Sequence, residues 1–213
     1  MQLLIVAATE LEISPFLEKM PSSDFLITGV GCPATIYQLT KRLHQIDYDL
    51  VIQAGIAGSF TNSLNPGDVV LVKQDNFADI GASERSAFQT FFEMGLADKD
   101  AFPYNQGWLD NNGEWIDNFF LQKVKALTVN TVTDDEAYIS KQVLKFDPQI
   151  ESMEGAAFHY VCLQENISFM QLRSISNYVG ERNKANWKMK EAIENLNSEL
   201  IDIVNSLTIE AAR

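Results

Sequence analysis

The chain has 213 residues, 46% hydrophobic and 21% charged, which is enough apolar sequence for one sizeable core and too much for a disordered chain. Its formal net charge of -13 argues against a surface for nucleic acid or anionic membranes, which favour basic patches. The cysteines Cys32 and Cys162 form no CxxC, and His44 and His159 lack Cys or His neighbours at ligand spacing; no metal site is expected, and a reducing cytoplasm fits.

Leu3 to Ala8 is a continuous apolar run of strand length, as expected for a strand buried on both faces. It runs straight into Thr9-Glu10-Leu11-Glu12 without a basic flank, so it reads as a core strand rather than a signal peptide. Phe25 to Thr28 is a second strand, followed by Gly29-Val30-Gly31. Ile36, Leu39, Leu43 and Ile46 recur at helical spacing, with Pro33 near the start, and predict a helix over Ala34 to Ile46. Leu50 to Ala54 is a third strand, closed by a predicted turn at Gly55-Ile56-Ala57-Gly58. Pro66-Gly67-Asp68 is a turn signal before a strand over Val69 to Val72.

Ala78 to Lys123 mixes aromatic residues with Asp, Asn and Gly and holds no period, so it reads as loops with short helices. Either it carries specificity, or its aromatics fill a satellite cluster. Beyond it come strands at Ala126 to Asn130 and Phe169 to Ile175, with a helix from Met153 to Gln164 between them. An amphipathic closing helix spans Met189 to Leu207. Alternating strands and helices give an α/β architecture with a mostly parallel or mixed sheet, read as a single domain over residues 1–213.

Four stretches carry chemistry. Glu12 lies just past the first strand, where α/β sheets place ligand groups, and a carboxylate there can activate water; Glu10 is its rival, and both can be solvated charges opening a helix. Glu154 opens a helix behind Met153 and can accept hydrogen bonds from sugar hydroxyls. Ala57 and Gly58 are small enough for backbone to approach a substrate closely. Ser176-Asn177 closes a strand with an amide, which can donate to a carbonyl oxygen where a carboxylate would only accept. Tyr138 reads equally well as a strand-end core tyrosine, Trp187 as a helix anchor and His159 as a core-edge residue.

These pieces, in this order, resemble the nucleoside phosphorylase/nucleosidase family, which cuts purine N-glycosidic bonds. Glu151-Ser152-Met153-Glu154-Gly155 and Arg173-Ser174-Ile175-Ser176-Asn177 carry most of the likeness. The stretch Ser176 to Asn183, with Trp187 beyond, is most similar to the futalosine-cleaving branch of menaquinone synthesis. The resemblance implies a three-layer αβα phosphorylase/hydrolase-like fold with a central mixed sheet. It implies that Glu12 activates water, Glu154 holds the ribose with Met153 packed on the sugar, and Asn177 holds the leaving base. Tyr138 would stack on the base, the Ile139 backbone would read its edge, and Trp187 would cover sugar or base. No metal or organic cofactor is implied, and a homodimer or larger homo-oligomer is. Adenine-cleaving members carry Asp where this chain has Asn177, which points to a 6-oxopurine such as hypoxanthine. The early turns lack the arginines that phosphorylases need, which favours water as the acceptor. Arg85, Arg182 and Lys184 are the candidates to meet the carboxylate of a futalosine tail.

Overall fold

Continuous apolar runs become central strands because helices cover both of their faces. The computed structural model describes residues 1–84 and 87–211. In chain order the elements are β1 (Leu3–Ala7), α1 (Glu10–Lys19), β2 (Phe25–Ile27), α2 (Cys32–Leu43), β3 (Leu50–Ser59) and β4 (Val69–Phe77). The small antiparallel pair β5 (Gly81–Glu84) and β6 (Ala87–Thr90) follows, then β7 (Leu109–Asp110), β8 (Gln122–Thr128) and α3 (Glu136–Phe146). The last four are β9 (Ile150–Ser152), α4 (Gly155–Gln164), β10 (Phe169–Tyr178) and α5 (Met189–Ala211).

The main sheet is mixed and runs β10-β4-β8-β9-β3-β1-β2, with β7 on β4. Strand β10 also pairs in parallel with β3, so β3, β10, β4, β8 and β9 close on themselves. Ala57, Val70, Val72, Val124, Ala126, Ile150 and Ile175 fill that closed region. Alternation along the strands feeds two further layers. Ile5, Ala7, Leu50, Ile52 and Leu172 pack against Ile13 and Phe16 of α1 and Leu196, Leu200 and Ile203 of α5. Leu4, Val6 and Val51 pack the other way, against Leu39 of α2 and Phe158, Val161 and Cys162 of α4. The result is the expected α/β arrangement of helix layers on either side of a central mixed sheet.

Several boundaries differ from the sequence reading. Residues 55–58 are not a turn: β3 continues to Ser59 because β10 pairs with it from Val51 to Ser59, with one bulge between Ile175 and Asn177. The glycines are there for close approach. A Cβ on Gly55 would lie 2.3 Å from Arg173 Nη1 and 2.9 Å from Glu12 Oε1. Helix α3 was not foreseen; Asp135 caps it by accepting from the backbone N–H groups of Ala137 and Tyr138. Within 78–123 the described residues form β5–β7 and one 3-10 turn, Glu114–Asn118, and the aromatics form a satellite cluster. Phe91, Phe92 and Tyr104 pack edge-on or tilted against one another and reach Tyr160 of α4, while Trp108 meets Phe146.

Helix α1 carries Pro15 in its interior, which removes one donor and crowds the carbonyl four residues back. Asn197 of α5 braces this stretch. Its Oδ1 accepts from Phe16 N at 2.9 Å, and its Nδ2 donates to the Glu12 carbonyl at 2.8 Å. The amide is buried, so Asn197→Ala strands two buried backbone groups. The expected result is a loss of about 2–4 kcal/mol of stability in denaturant unfolding. A change below 1 kcal/mol, roughly one hydrogen bond, would remove Asn197 from this bracing role.

Candidate active site

The C-terminal ends of the parallel strands β1, β3 and β10 open into one cleft of about 340 Å³. Glu12, Ala57, Gly58, Met153, Glu154, Asn177 and Trp187 all line it. Sequence positions from 8 to 189 therefore converge on one place. A larger depression of about 650 Å³ beside α2 is lined by Cys32, Ile36, Phe77, Ile80 and neighbours. It lacks a carboxylate, whereas the smaller cleft gathers Glu12, Glu151, Glu154 and Glu181.

Glu12 is buried, and its carboxylate is held at both oxygens. Oε2 accepts from the backbone N–H and hydroxyl of Thr9, each at 3.0 Å, and Oε1 accepts from Ile56 N at 3.1 Å. Three donors aimed at one carboxylate fix its position in the cleft. Its rival Glu10 is exposed and does not line the cleft. Glu154 occupies the N-cap position of α4 but does not cap its own helix. Its Oε1 accepts instead from Gly31 N at 2.9 Å, across the cleft floor. Burial raises the Glu154 pKa; the Arg173 charge and the Gly31 N–H oppose that rise, and Glu12 adds to it.

Arg173 is the residue that sequence reasoning left unassigned. Its side chain is 1% exposed on β10, where its Nη2 donates to Gln53 Oε1 at 2.8 Å. Among the described residues no carboxylate reaches ion-pair distance of it, and Nε has no partner. Its charge nevertheless acts on Glu154 and on buried Asp75. An arginine in the middle of the apolar run Phe169 to Ile175 was the available signal, since a buried cation needs negative charge nearby. Asp75 accepts from Thr128 Oγ1 at 2.9 Å, Asn76 N at 2.8 Å and Gln171 Nε2 at 3.3 Å. Burial still pushes its pKa up to about 6.

Asn177 is fixed by its neighbours. Ser176 Oγ lies 2.7 Å from Asn177 Oδ1, and Asn177 Nδ2 donates to the Tyr178 carbonyl at 2.9 Å. Turning the amide over would set Oδ1 against the Tyr178 carbonyl oxygen, so the nitrogen faces that side. One N–H remains uncommitted. The amide therefore offers a donor, while its oxygen accepts from Ser176, whose hydroxyl also lies 3.2 Å from the Ala57 carbonyl.

Trp187 follows a 3-10 turn at Lys184–Asn186; its Nε1 donates to the Glu181 carbonyl at 2.8 Å, and the Arg182 guanidinium sits 5.9 Å from its ring centre. Arg182 is the one basic side chain lining the cleft among the described residues. Lys184 is exposed on the 3-10 turn, and Arg85 lies outside the described residues.

Three expectations need correction, two of them on α3. Tyr138 does not line the cleft: it sits on α3, where its hydroxyl accepts from Gln142 Nε2 at 2.8 Å, and it borders a separate depression with Phe88 and Lys145. Ile139 reaches only the rim, with its Cδ1 3.3 Å from the position of a Cβ on Gly180. Its backbone N–H is committed to the Asp135 carbonyl, so it is not free to read a purine edge. Both follow from the unforeseen helix, which turns residues read as a strand end onto a helical face. His159 is fully buried rather than at the core edge. Its Nδ1 lies 3.0 Å from the Leu109 carbonyl oxygen, and burial lowers its pKa to about 4, which leaves it neutral and structural.

A closed mixed sheet flanked by helices thus carries two carboxylates and an amide at its strand ends. The chain belongs to the phosphorylase superfamily, whose family model matches residues 25–207. Among its relatives, futalosine hydrolase of Thermus thermophilus is 28% identical over 91% of this chain and 91% of its own length. A 5'-methylthioadenosine/S-adenosylhomocysteine nucleosidase of Psychromonas ingrahamii is 24% identical, over 84% of this chain and 79% of that protein. The solved nucleosidase of Neisseria meningitidis, in complex with methylthio-immucillin-A, superposes with a TM-score of 0.80. The match covers 96% of this chain and 98% of that one at 17% identity.

Proposed function

We propose that this chain hydrolyses the N-glycosidic bond of a 6-oxopurine nucleoside, with futalosine as the substrate and hypoxanthine and dehypoxanthine futalosine as products. Hydrolytic cleavage of nucleosides is the activity named for relatives of both kinds. The observation that carries the finer reading is the Asn177 amide, whose oxygen is engaged by Ser176 and whose remaining N–H suits the 6-oxo group of hypoxanthine. An adenine 6-amino group would meet a donor instead of an acceptor there.

In this reading Glu12 takes a proton from the attacking water, and Glu154 holds the ribose hydroxyls with the oxygen that Gly31 leaves open. Met153 and Trp187 enclose the sugar and base. The Arg173 charge opposes the rise that burial imposes on the Glu154 pKa. Arg182 at the rim suits the carboxylate of the futalosine tail. A single rim arginine is sparse for phosphate, which supports water as the acceptor. The reading includes a cytoplasmic, homo-oligomeric enzyme in menaquinone synthesis, and the exposed apolar lip residues Leu11 and Val30 suit cover by a second copy.

The test is chromatography of products from futalosine, inosine, methylthioadenosine and aminofutalosine, each with and without phosphate. Hypoxanthine from futalosine, independent of phosphate, is expected. Adenine release would contradict the role of Asn177, phosphate dependence would make the chain a phosphorylase, and no released base would leave a nucleoside-binding protein.

A further inference from the structure

Breaking the bond to a purine leaves negative charge on the base, and a proton on N7 relieves it. The Asn177 amide cannot transfer a proton. Four carboxyl side chains line the cleft: Glu12, Glu151, Glu154 and Glu181. Glu12 is held by three donors and Glu154 by Gly31 N. Partly exposed Glu181 accepts from Asn186 Nδ2 at 2.7 Å and Asn183 N at 2.6 Å, which lowers its pKa. Each of these three already accepts at least one hydrogen bond.

Glu151 is different. It has no hydrogen-bond partner among the described residues, and burial raises its pKa to about 7 against the pull of Arg182. Its position matters more. Gly58 of β3 pairs with Asn177 of β10 on one side and with Glu151 of β9 on the other. The three residues form one rung across the cleft wall. A Cβ on Gly58 would lie 3.1 Å from Val179 Cγ2 and 3.5 Å from both Asn177 Nδ2 and Glu151 Cγ. The bare backbone of Gly58 thus leaves a slot, walled by Val179, with the amide on one side and the carboxyl on the other. O6 and N7 are adjacent acceptors on one purine edge, and such a slot presents a donor to each.

On the reading of the site as a 6-oxopurine nucleosidase, the geometry points to Glu151 as the general acid, donating its proton to N7 while Asn177 donates a hydrogen bond to O6. The C1′–N9 bond breaks and its electron pair passes into the purine. N7 takes the Glu151 proton, so hypoxanthine leaves neutral. The water oxygen bonds to C1′ and gives its proton to Glu12. That proton returns from Glu12 to Glu151 through solvent, and the net change is the addition of one water.

Charged and titratable groups face Glu151 from several elements: Arg182 beyond β10, Tyr138 on α3, and Glu12 and Glu154 across the cleft. Its registered neighbours Leu127 on β8 and Gly58 on β3 carry no charge. The acid works only when protonated, so kcat/KM falls as pH rises through about 7.

The experiment compares wild type with Glu151→Gln on futalosine and on p-nitrophenyl β-riboside, whose leaving group needs no proton. The variant is expected to lose about 10²-fold or more on futalosine, stay within about threefold on the nitrophenyl riboside, and lose the fall in rate above pH 7. Equal losses on both substrates would mean a positioning role and overturn the assignment, as would an unchanged futalosine rate. A wild type that cleaves the nitrophenyl riboside but no purine nucleoside overturns the functional reading itself, and the Glu151 assignment with it.

Discussion

Asn177→Asp is expected to reduce kcat/KM for futalosine about 10²–10³-fold, equivalent to about 3–4 kcal/mol of transition-state binding, with some gain on aminofutalosine. The wild-type amide donates one N–H toward the base, while Ser176 holds its oxygen and the Tyr178 carbonyl holds its second N–H. A carboxylate at 177 keeps the Ser176 contact. Its other oxygen then lies beside the Tyr178 carbonyl, and a 6-oxo group facing it becomes a third oxygen without a hydrogen. Such crowding leaves the 6-oxo group without a donor and costs binding of the base. An adenine 6-amino group can instead donate to the carboxyl. Steady-state kinetics on futalosine and aminofutalosine, side by side, check this. An unchanged ratio between the two would remove Asn177 from purine recognition.

Glu12→Gln is expected to lower kcat by about 10²–10⁴-fold while leaving hypoxanthine binding near the wild-type value, because a general base contributes in that range and does not touch the base. The stability cost is expected to be small, about 1 kcal/mol. Every group bonded to the Glu12 carboxylate is a donor: Thr9 N, the Thr9 hydroxyl and Ile56 N. A glutamine amide must set its NH2 against one backbone N–H; on the Thr9 side the hydroxyl can rotate to accept from it, so one backbone hydrogen bond is lost. Calorimetric binding of hypoxanthine and a thermal melt, measured beside kcat, separate loss of the base from loss of the fold. A variant that keeps more than a tenth of the wild-type kcat would rule out Glu12 as the base that activates water.

Glu12 and Glu151 complement each other if both roles hold. One needs to be ionised and the other protonated over the same pH range. The structure separates them by environment: three donors hold Glu12, and none holds Glu151. Burial raises the pKa of Glu151 alone, which suits it to the acid's part of such a pair.

Periodicity reads well where burial is simple. The runs at Leu3, Phe25, Leu50 and Phe169 became strands, and the α2, α4 and α5 helices followed their apolar spacing, because each has a face or stripe that only the core can cover. Where a residue answers to a partner far away in sequence, the pattern misled. Gly55 to Gly58 look like a turn by composition, yet they are strand residues, with Gly55 kept small by Arg173 and Glu12 and Gly58 by Val179. Helix α3 carries Asp135 as a cap, but the aperiodic stretch before it hid the signal, and Tyr138 and Ile139 were misplaced with it.

The sequence by itself determined the layered α/β architecture and the amide at 177. It also marked Glu12, Met153, Glu154 and Trp187 as residues of one cleft. These follow from local pattern and from an ordered set of motifs. Tertiary structure decided the rest: the buried Arg173 beneath the carboxylates, the Asn197 brace on α1, and the rung that sets Glu151 opposite Asn177. Those features depend on register between strands and on helices packed across the sheet. A one-residue slip in β9 would turn Glu151 to the opposite face, and no local stretch of sequence fixes that register.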